Sequence, residues 1–296
     1  MTHRDRAGDP AAGDFRERSL SAQDGLRLYY RDYGDPLSRG TPVVCLGGLT
    51  RNSKDFHGLA GRLSARRRVV CLDYRGRGRS ARDSDWRNYA PRVILGDVVQ
   101  LLAANNLHRV VVCGVSFGGL LAMGLAVAAP TALAGVILDD VGPEVEPAAG
   151  KRILDYVSRD RPQPDWAAAV TEMKALFPDL SYTTEAGWRG FAEATYRAGA
   201  DGRLHFDWDV ALAKPLMAGG NGARDHWPLY RALARLPVLA IRGGLSDVLS
   251  EATFARMAAE KPDLVQLTLP RVGHVPTLDE PESEHAIDEF LARIDG

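Results

Sequence analysis

Six short apolar runs, separated by longer amphipathic stretches, follow one another along the chain from residue 43 onward. Continuous apolar runs of this length are typical of strands covered on both faces, because helices pack against each side of a parallel sheet. Alternation of such strands with helices predicts the α/β class. The predicted strands are Val43–Leu46, Arg68–Asp73, Val110–Val115, Gly135–Asp140, Val238–Arg242 and Leu264–Leu269, preceded by a strand pair at Arg18–Ala22 and Leu26–Tyr33. The predicted helices are Asp55–Ala65, Pro91–Asn105, Phe117–Ala129, Glu251–Glu260 and Pro281–Ile294.

One interval interrupts this alternation, between the fourth and the fifth apolar run. Residues 141–236 contain helix-like segments rich in aromatic side chains but no strong strand signal. A connection of about 95 residues is far longer than an ordinary link between strands, so it predicts a helical cap over one edge of the sheet. We therefore expect a loose tail at residues 1–14, a core built from residues 15–140 and 237–296, and a cap at residues 141–236.

The composition is that of a globular chain without a global charge bias. Of 296 residues, 45% are hydrophobic and 25% are charged, and the formal net charge is −1, which argues against nucleic-acid or anionic-membrane partners. Two local basic runs, Arg66–Arg68 and the alternating Arg75, Arg77 and Arg79, are expected to form a solvated rim. No signal peptide and no apolar stretch of about 20 residues is visible, and the three cysteines lie in apolar runs. The sequence thus favours a soluble cytoplasmic protein with free, buried thiols.

The segment Gly114-Val115-Ser116-Phe117-Gly118 follows a predicted buried strand and opens a predicted helix. This is the context that the G-x-S-x-G nucleophile elbow requires, because the serine must sit at the apex of a sharp strand-to-helix turn. Glycines two residues before and after the serine remove the Cβ atoms that would clash there. The helix N-terminus next to the serine also favours negative charge. We therefore predict Ser116 as a nucleophile.

A serine nucleophile needs a general base and an acid that orients the base. His274 follows the last apolar strand, and among the seven histidines its late position fits the chain order nucleophile, acid, histidine. Asp247, in the loop after Val238–Arg242, is the favoured acid because it ends the later strand and still precedes the histidine. Asp139 and Asp140 end the preceding strand and compete with it, although Asp140 could instead tether the start of the cap.

An oxyanion formed during acyl transfer needs two backbone N–H donors. Phe117, the residue after the serine, supplies one of them, and a loop after an earlier strand supplies the other. Leu46-Gly47-Gly48-Leu49-Thr50 is such a loop, so the N–H of Leu49 is the second predicted donor. No cofactor is implied, and no H-E-x-x-H or Cys/His pairing indicates a metal site.

These residues resemble the cap-bearing α/β-hydrolase family, and the resemblance extends from about Arg18 to Ile294. Four segments match in the family's order: Gly47-Gly48-Leu49, Asp73–Ser80, the serine elbow and Gly273-His274. The resemblance implies a mostly parallel eight-stranded sheet with helices on both faces, and it implies that the arginine-glycine segment Asp73–Ser80 is a structural turn. Many relatives have His-Gly where this chain has Gly47-Gly48, which leaves open how the oxyanion loop is anchored.

We expect hydrolysis of a small carboxylic ester or lactone through an acyl-enzyme, with a small, largely apolar acyl or aromatic molecule as substrate. The serine argues against relatives that attack with aspartate, namely haloalkane dehalogenases and epoxide hydrolases. Two alternatives within the fold are C–C bond hydrolysis of ring-fission diketones and a lyase or acyl-transfer reaction, because fold does not decide among them. A non-catalytic ligand receptor on the same scaffold is the alternative of a different class.

Overall fold

The computed structural model describes residues 14–218 and 225–296, so nearly all of the predicted tail at residues 1–14 lies outside the described residues. The strands are β1 (Phe15–Ser21), β2 (Arg27–Tyr33), β3 (Gly40–Leu46), β4 (Arg67–Asp73), β5 (Val110–Val115), β6 (Leu133–Asp139), β7 (Tyr196–Ala198), β8 (Leu204–Phe206), β9 (Val238–Gly243) and β10 (Val265–Leu269). The helices are α1 (His57–Leu63), α2 (Pro91–Ala104), α3 (Phe117–Ala128), α4 (Pro147–Val157), α5 (Trp166–Leu176), α6 (Glu185–Thr195), α7 (Ala213–Ala218), α8 (Trp227–Arg231), α9 (Glu251–Glu260) and α10 (Pro281–Asp295).

Eight of the strands form one sheet in the order β1-β2-β4-β3-β5-β6-β9-β10. Strand β2 runs antiparallel to both of its neighbours, and the other pairings are parallel. The predicted mostly parallel eight-stranded sheet is therefore confirmed. Because parallel strands end at the same edge, the carboxyl ends of β3, β5, β6, β9 and β10 bring their following loops together there.

Each face of the sheet carries its own apolar core, because successive side chains of a strand point to opposite faces. In β3, Val44 and Leu46 join the core under α2, α3 and α9, whereas Val43 and Cys45 join the core under α1 and α10. Helices thus cover both faces, as predicted. Burying one such aliphatic side chain fully contributes about 1.5–3 kcal/mol. Cys45, Cys71 and Cys113 are buried and free, which confirms the prediction for the thiols.

The expected solvated rim of arginines is wrong for Arg75 and Arg77, which are each 1% exposed. Three carboxylates surround the Arg75 guanidinium, at 2.7 Å (Asp97), 2.8 Å (Asp24) and 2.9 Å (Asp83). Removing a buried cation from such a set of carboxylates is costly, because the desolvated negative charges are left uncompensated. The arginine-glycine segment is therefore a structural turn, as its resemblance implied.

Between β6 and β9, helices α4 to α7 and the β7–β8 hairpin surround a third apolar core that is rich in aromatic rings. Phe206 and Trp208 stack at its centre, with ring centroids 3.9 Å apart. Helix α8 differs, because Trp227 and Tyr230 pack into the core under α3 rather than into this aromatic cluster. None of the helices within residues 14–218 and 225–296 combines the length and the apolar character needed to cross a bilayer.

Candidate active site

Ser116 lies at the turn between β5 and α3 in a strained backbone conformation, with φ +49° and ψ −113°. A positive φ is uncommon outside glycine and clusters at functional sites. The close approach of neighbouring backbone explains the flanking glycines: a Cβ on Gly114 would lie 2.5 Å from the Gly118 carbonyl oxygen, and a Cβ on Gly118 would lie 1.9 Å from the Leu46 carbonyl oxygen. The segment thus has the strand-turn-helix geometry that the motif requires.

His274 lies in the loop after β10, and its Nδ1 is 2.6 Å from Oδ2 of Asp140. The Asp140 side chain is fully buried and the His274 side chain is 14% exposed, so the interaction is shielded from water. With the Nδ1 proton directed at the carboxylate, Nε2 is left as the nitrogen that can accept a proton. Ser116 and His274 line the same cavity.

The Asp140 carboxylate is held in place by the strand end beside it. The N–H of Gly243 donates to Oδ1 at 2.8 Å, and the hydroxyl of Ser246 donates to Oδ2 at 2.6 Å. Ser246 Oγ in turn accepts the N–H groups of Val248 and Leu249, both at 3.1 Å. The loop after β9 therefore supports the acid rather than supplying it.

The preference for Asp247 as the partner of His274 is wrong in this geometry. Asp247 is half exposed and forms a two-point ion pair with Arg152 of α4, at 2.9 and 2.8 Å. Strands β6 and β9 are neighbours in the sheet, so both aspartates lie at the same edge and both satisfy the chain order. The two aspartates differ in side-chain direction. Asp140, with φ +49°, points to His274, whereas Asp247 points to Arg152 of α4.

The predicted oxyanion loop is anchored by two buried side chains of the arginine-glycine turn. The Tyr74 hydroxyl donates to the Gly47 carbonyl at 3.1 Å, and Nε of Arg77 donates to the Leu49 carbonyl at 2.8 Å. The Arg77 guanidinium also lies 5.9 Å from the ring centroid of Phe117. Arg77 therefore contacts both residues predicted to donate to the oxyanion, and burial lowers its pKa to about 10.

A cavity of about 150 Å³ is lined by Ser116 and His274 and by residues of α4 and α6. Most of its wall is apolar, with Phe177, Phe191 and Leu180 among the lining residues. Leu49 lines it as well, which places the predicted oxyanion loop next to the serine. Among residues 14–218 and 225–296, no group of three or more His, Cys, Asp or Glu side chains is arranged to hold a metal ion.

Arg51 is a cation in this wall that no sequence motif indicated. Its Nε donates to Asp55 at 2.8 Å, a second guanidinium nitrogen bonds the other Asp55 oxygen, and the third donates to the Thr195 hydroxyl at 2.6 Å. The guanidinium also stacks 4.3 Å from the centroid of the Phe191 ring. Because Asp55 neutralises it and Thr195 belongs to α6, Arg51 joins the predicted oxyanion loop to α6.

Asp139, next to the triad-like Asp140, is buried without a hydrogen-bond partner for either oxygen within the described residues. Burial raises its pKa well above the ordinary value, and the neighbouring Asp140 carboxylate adds to the effect. Burial therefore favours the neutral form of the Asp139 carboxyl, whereas the Asp140 carboxylate accepts hydrogen bonds from Gly243 and Ser246.

The model of the alpha/beta hydrolase family matches residues 43–286. The chain belongs to this family. A 3-hydroxybutyrate-oligomer hydrolase of Cupriavidus necator is 33% identical over 275 residues, covering 90% of this chain and 92% of the relative. A 2-(acetamidomethylene)succinate hydrolase of Mesorhizobium japonicum is 27% identical, covering 97% and 99%.

Among solved structures, an alpha/beta hydrolase from Novosphingobium aromaticivorans is 42% identical and superposes with a TM-score of 0.87, covering 94% of this chain and 98% of that one. These relationships confirm the family resemblance inferred from the motifs and identify the protein as a hydrolase. The span matched by the alpha/beta hydrolase model contains Leu49, Ser116, Asp140, Asp247 and His274.

Replacing Arg77 with methionine removes the donor to Leu49 while filling the same buried space. We expect kcat to fall by roughly 10- to 100-fold, because a displacement of about 1 Å in a positioning element costs on that order. Arg79→Met is the matched control, since Arg79 is 58% exposed and pairs with Glu17. Steady-state kinetics measures kcat, and thermal melting checks that both variants are folded. Equal kcat values in Arg77→Met and Arg79→Met, at equal stability, would contradict the prediction.

Asp139→Asn keeps the shape of the side chain but cannot ionise. An unfolded Asp releases its proton near pH 4, whereas burial raises the pKa of Asp139, so this group makes the native state less stable as pH rises above about 4. The stability advantage of the variant should therefore grow as pH rises above about 4, by up to about 1.4 kcal/mol per pH unit, until the raised pKa of the native state is reached. Urea unfolding at several pH values measures this. Exposed Asp288→Asn is the control. The prediction is refuted if the unfolding free energy of Asp139→Asn, relative to the wild type, changes with pH as little as that of Asp288→Asn does.

Proposed function

We propose that this alpha/beta hydrolase cleaves small carboxylic esters through an acyl-enzyme formed on Ser116. The observation that carries the proposal is the 2.6 Å contact between Asp140 and His274 at the wall of the cavity that holds Ser116. A serine hydroxyl is a weak nucleophile until a base takes its proton, and a carboxylate behind the histidine both orients the ring and stabilises the imidazolium.

In the proposed reaction, the Ser116 oxygen attacks the ester carbonyl carbon while Nε2 of His274 takes the hydroxyl proton. The tetrahedral intermediate collapses, and His274 returns the proton to the departing alcohol. Water then attacks the acyl-enzyme with His274 again acting as base, which releases the acid and restores Ser116. Asp140, rather than Asp247, has the role of the orienting acid in this proposal.

The N–H groups of Leu49 and Phe117 are the proposed donors to the oxyanion. Two features support them: Phe117 begins α3 directly after Ser116, and Leu49 lines the same cavity as the serine. Such donors are effective because they are already aimed at the position where charge develops. Tyr74 and Arg77 hold the Leu49 loop from below, so its N–H keeps this direction between turnovers.

For the substrate we propose oligomeric or simple esters of short hydroxy acids. The name of the Cupriavidus necator relative, a 3-hydroxybutyrate-oligomer hydrolase, supports this class, as does the largely apolar wall formed by Phe177, Leu180 and Phe191. A chain of short ester units offers methyl groups to such a wall and a carbonyl to the serine. Lactones share the same reacting group and fall within the proposal.

The assignment of the acid can be tested by comparing Asp140→Asn with Asp247→Asn on neutral p-nitrophenyl butyrate. We expect Asp140→Asn to lower kcat on the order of ten-thousand-fold, because the orienting carboxylate is lost, and Ser116→Ala to abolish acyl-enzyme formation. Asp247→Asn breaks only an exposed ion pair and should stay within a few-fold of the wild type.

Stopped-flow detection of the p-nitrophenolate burst separates acylation from deacylation in this comparison. Loss of activity in Asp247→Asn with retention in Asp140→Asn would return the acid to Asp247. A wild type that neither hydrolyses the ester nor gives a burst would contradict the proposed function itself.

A further inference from the structure

We propose that a second cavity, against the outer side of α4, binds the carboxylate end of the substrate. This cavity, named here the cationic cavity, has a volume of about 340 Å³, and its charged lining residues are Lys151, Arg152, Arg161 and Asp155. Three cations face one carboxylate there, whereas the chain as a whole has a formal net charge of −1. The inference rests on the proposed ester hydrolysis and specifies the substrate further.

The cationic cavity adjoins the catalytic cavity. Arg152, Tyr156 and Phe177 line both of them, so these three residues lie where the two cavities meet. In this proposal the substrate extends past them from Ser116. The hydroxyl of Tyr156 is buried and has no hydrogen-bond partner within the described residues. An unsatisfied buried donor of this kind is costly, and a polar group of a bound molecule would satisfy it.

The cations of this cavity keep donors for an incoming carboxylate. Within residues 14–218 and 225–296, the Arg161 guanidinium makes one hydrogen bond, to Glu172 at 3.4 Å, and a guanidinium carries five N–H donors. Arg152 uses two of its nitrogens on Asp247, and both partners are about half exposed, so this pair is of the weak surface type. Within the described part of the chain, Lys151 takes part in no ion pair. Guanidinium and ammonium groups are the side chains that bind carboxylates most strongly.

The chemistry of the two cavities together defines a class of substrate. The catalytic cavity offers an apolar wall and a serine, and the cationic cavity offers positive charge beyond Tyr156. An ester that ends in a free carboxylate, such as a linear hydroxy-acid oligomer, fits both. A neutral ester of the same length fits the first cavity but leaves the second without a ligand.

The test compares the linear dimer and trimer of 3-hydroxybutyrate as free acids with the same oligomers carrying a terminal primary amide. We expect the wild type to favour the acid at least tenfold in kcat/KM, mainly through KM, and 0.5 M NaCl to reduce the preference by screening. In the double variant Lys151→Gln/Arg161→Gln the ratio of acid to amide should fall close to one. Lys214→Gln, an exposed lysine of α7 that lines neither cavity, is the matched control and should keep the wild-type ratio.

Equal rates for acid and amide in the wild type would overturn the inference, as would a preference that survives in the double variant. Because the ratio compares two substrates on one protein sample, a general loss of folded protein cancels from it. Failure of the proposed function looks different: in that case neither the oligomers nor neutral p-nitrophenyl butyrate is hydrolysed in a Ser116-dependent way.

Discussion

The hydrogen bond between Asp140 and His274 is the interaction on which the rest of the site depends. It joins the end of β6 to the loop after β10, two segments separated by 134 positions in the sequence. The parallel sheet makes this contact possible, because β6, β9 and β10 end at one edge. Gly243 and Ser246 of the intervening strand end then fix the carboxylate, so three adjacent strand ends determine the position of one imidazole.

Much of the architecture could be predicted because it depends on local pattern. Apolar runs located the central strands to within a few residues, and the two glycines flanking Ser116 revealed the elbow because only glycine fits there. The choice between Asp140 and Asp247 could not be made in this way. Both follow neighbouring strands, and the direction of each side chain depends on tertiary partners, Ser246 for one and Arg152 for the other. The burial of Arg75 and Arg77 could not be predicted from local pattern for the same reason. It depends on partners that are remote in sequence, such as Asp24 and Leu49.

The proposed specificity of the site depends on the helical segment between β6 and β9. Its aromatic cluster holds α4 and α6 over Ser116, and Arg51 connects the oxyanion loop to α6 through Thr195. The cations proposed to bind the carboxylate end of the substrate, Lys151, Arg152 and Arg161, line the adjoining cationic cavity. Asp247, which does not contact His274 in this structure, instead forms an ion pair between the loop after β9 and Arg152 of α4. In the proposed function, substrate choice depends on residues between β6 and β9, where sequence pattern is least informative.

The central claim is that Asp140 holds the Nδ1 proton of His274, and proton NMR at low temperature observes this proton directly. A proton shared with a carboxylate at 2.6 Å should give a strongly deshielded resonance. We predict that this resonance is present in the wild type and in Asp247→Asn, and that it disappears in Asp140→Asn and in His274→Ala. A resonance that persists in Asp140→Asn and vanishes in Asp247→Asn would contradict the account.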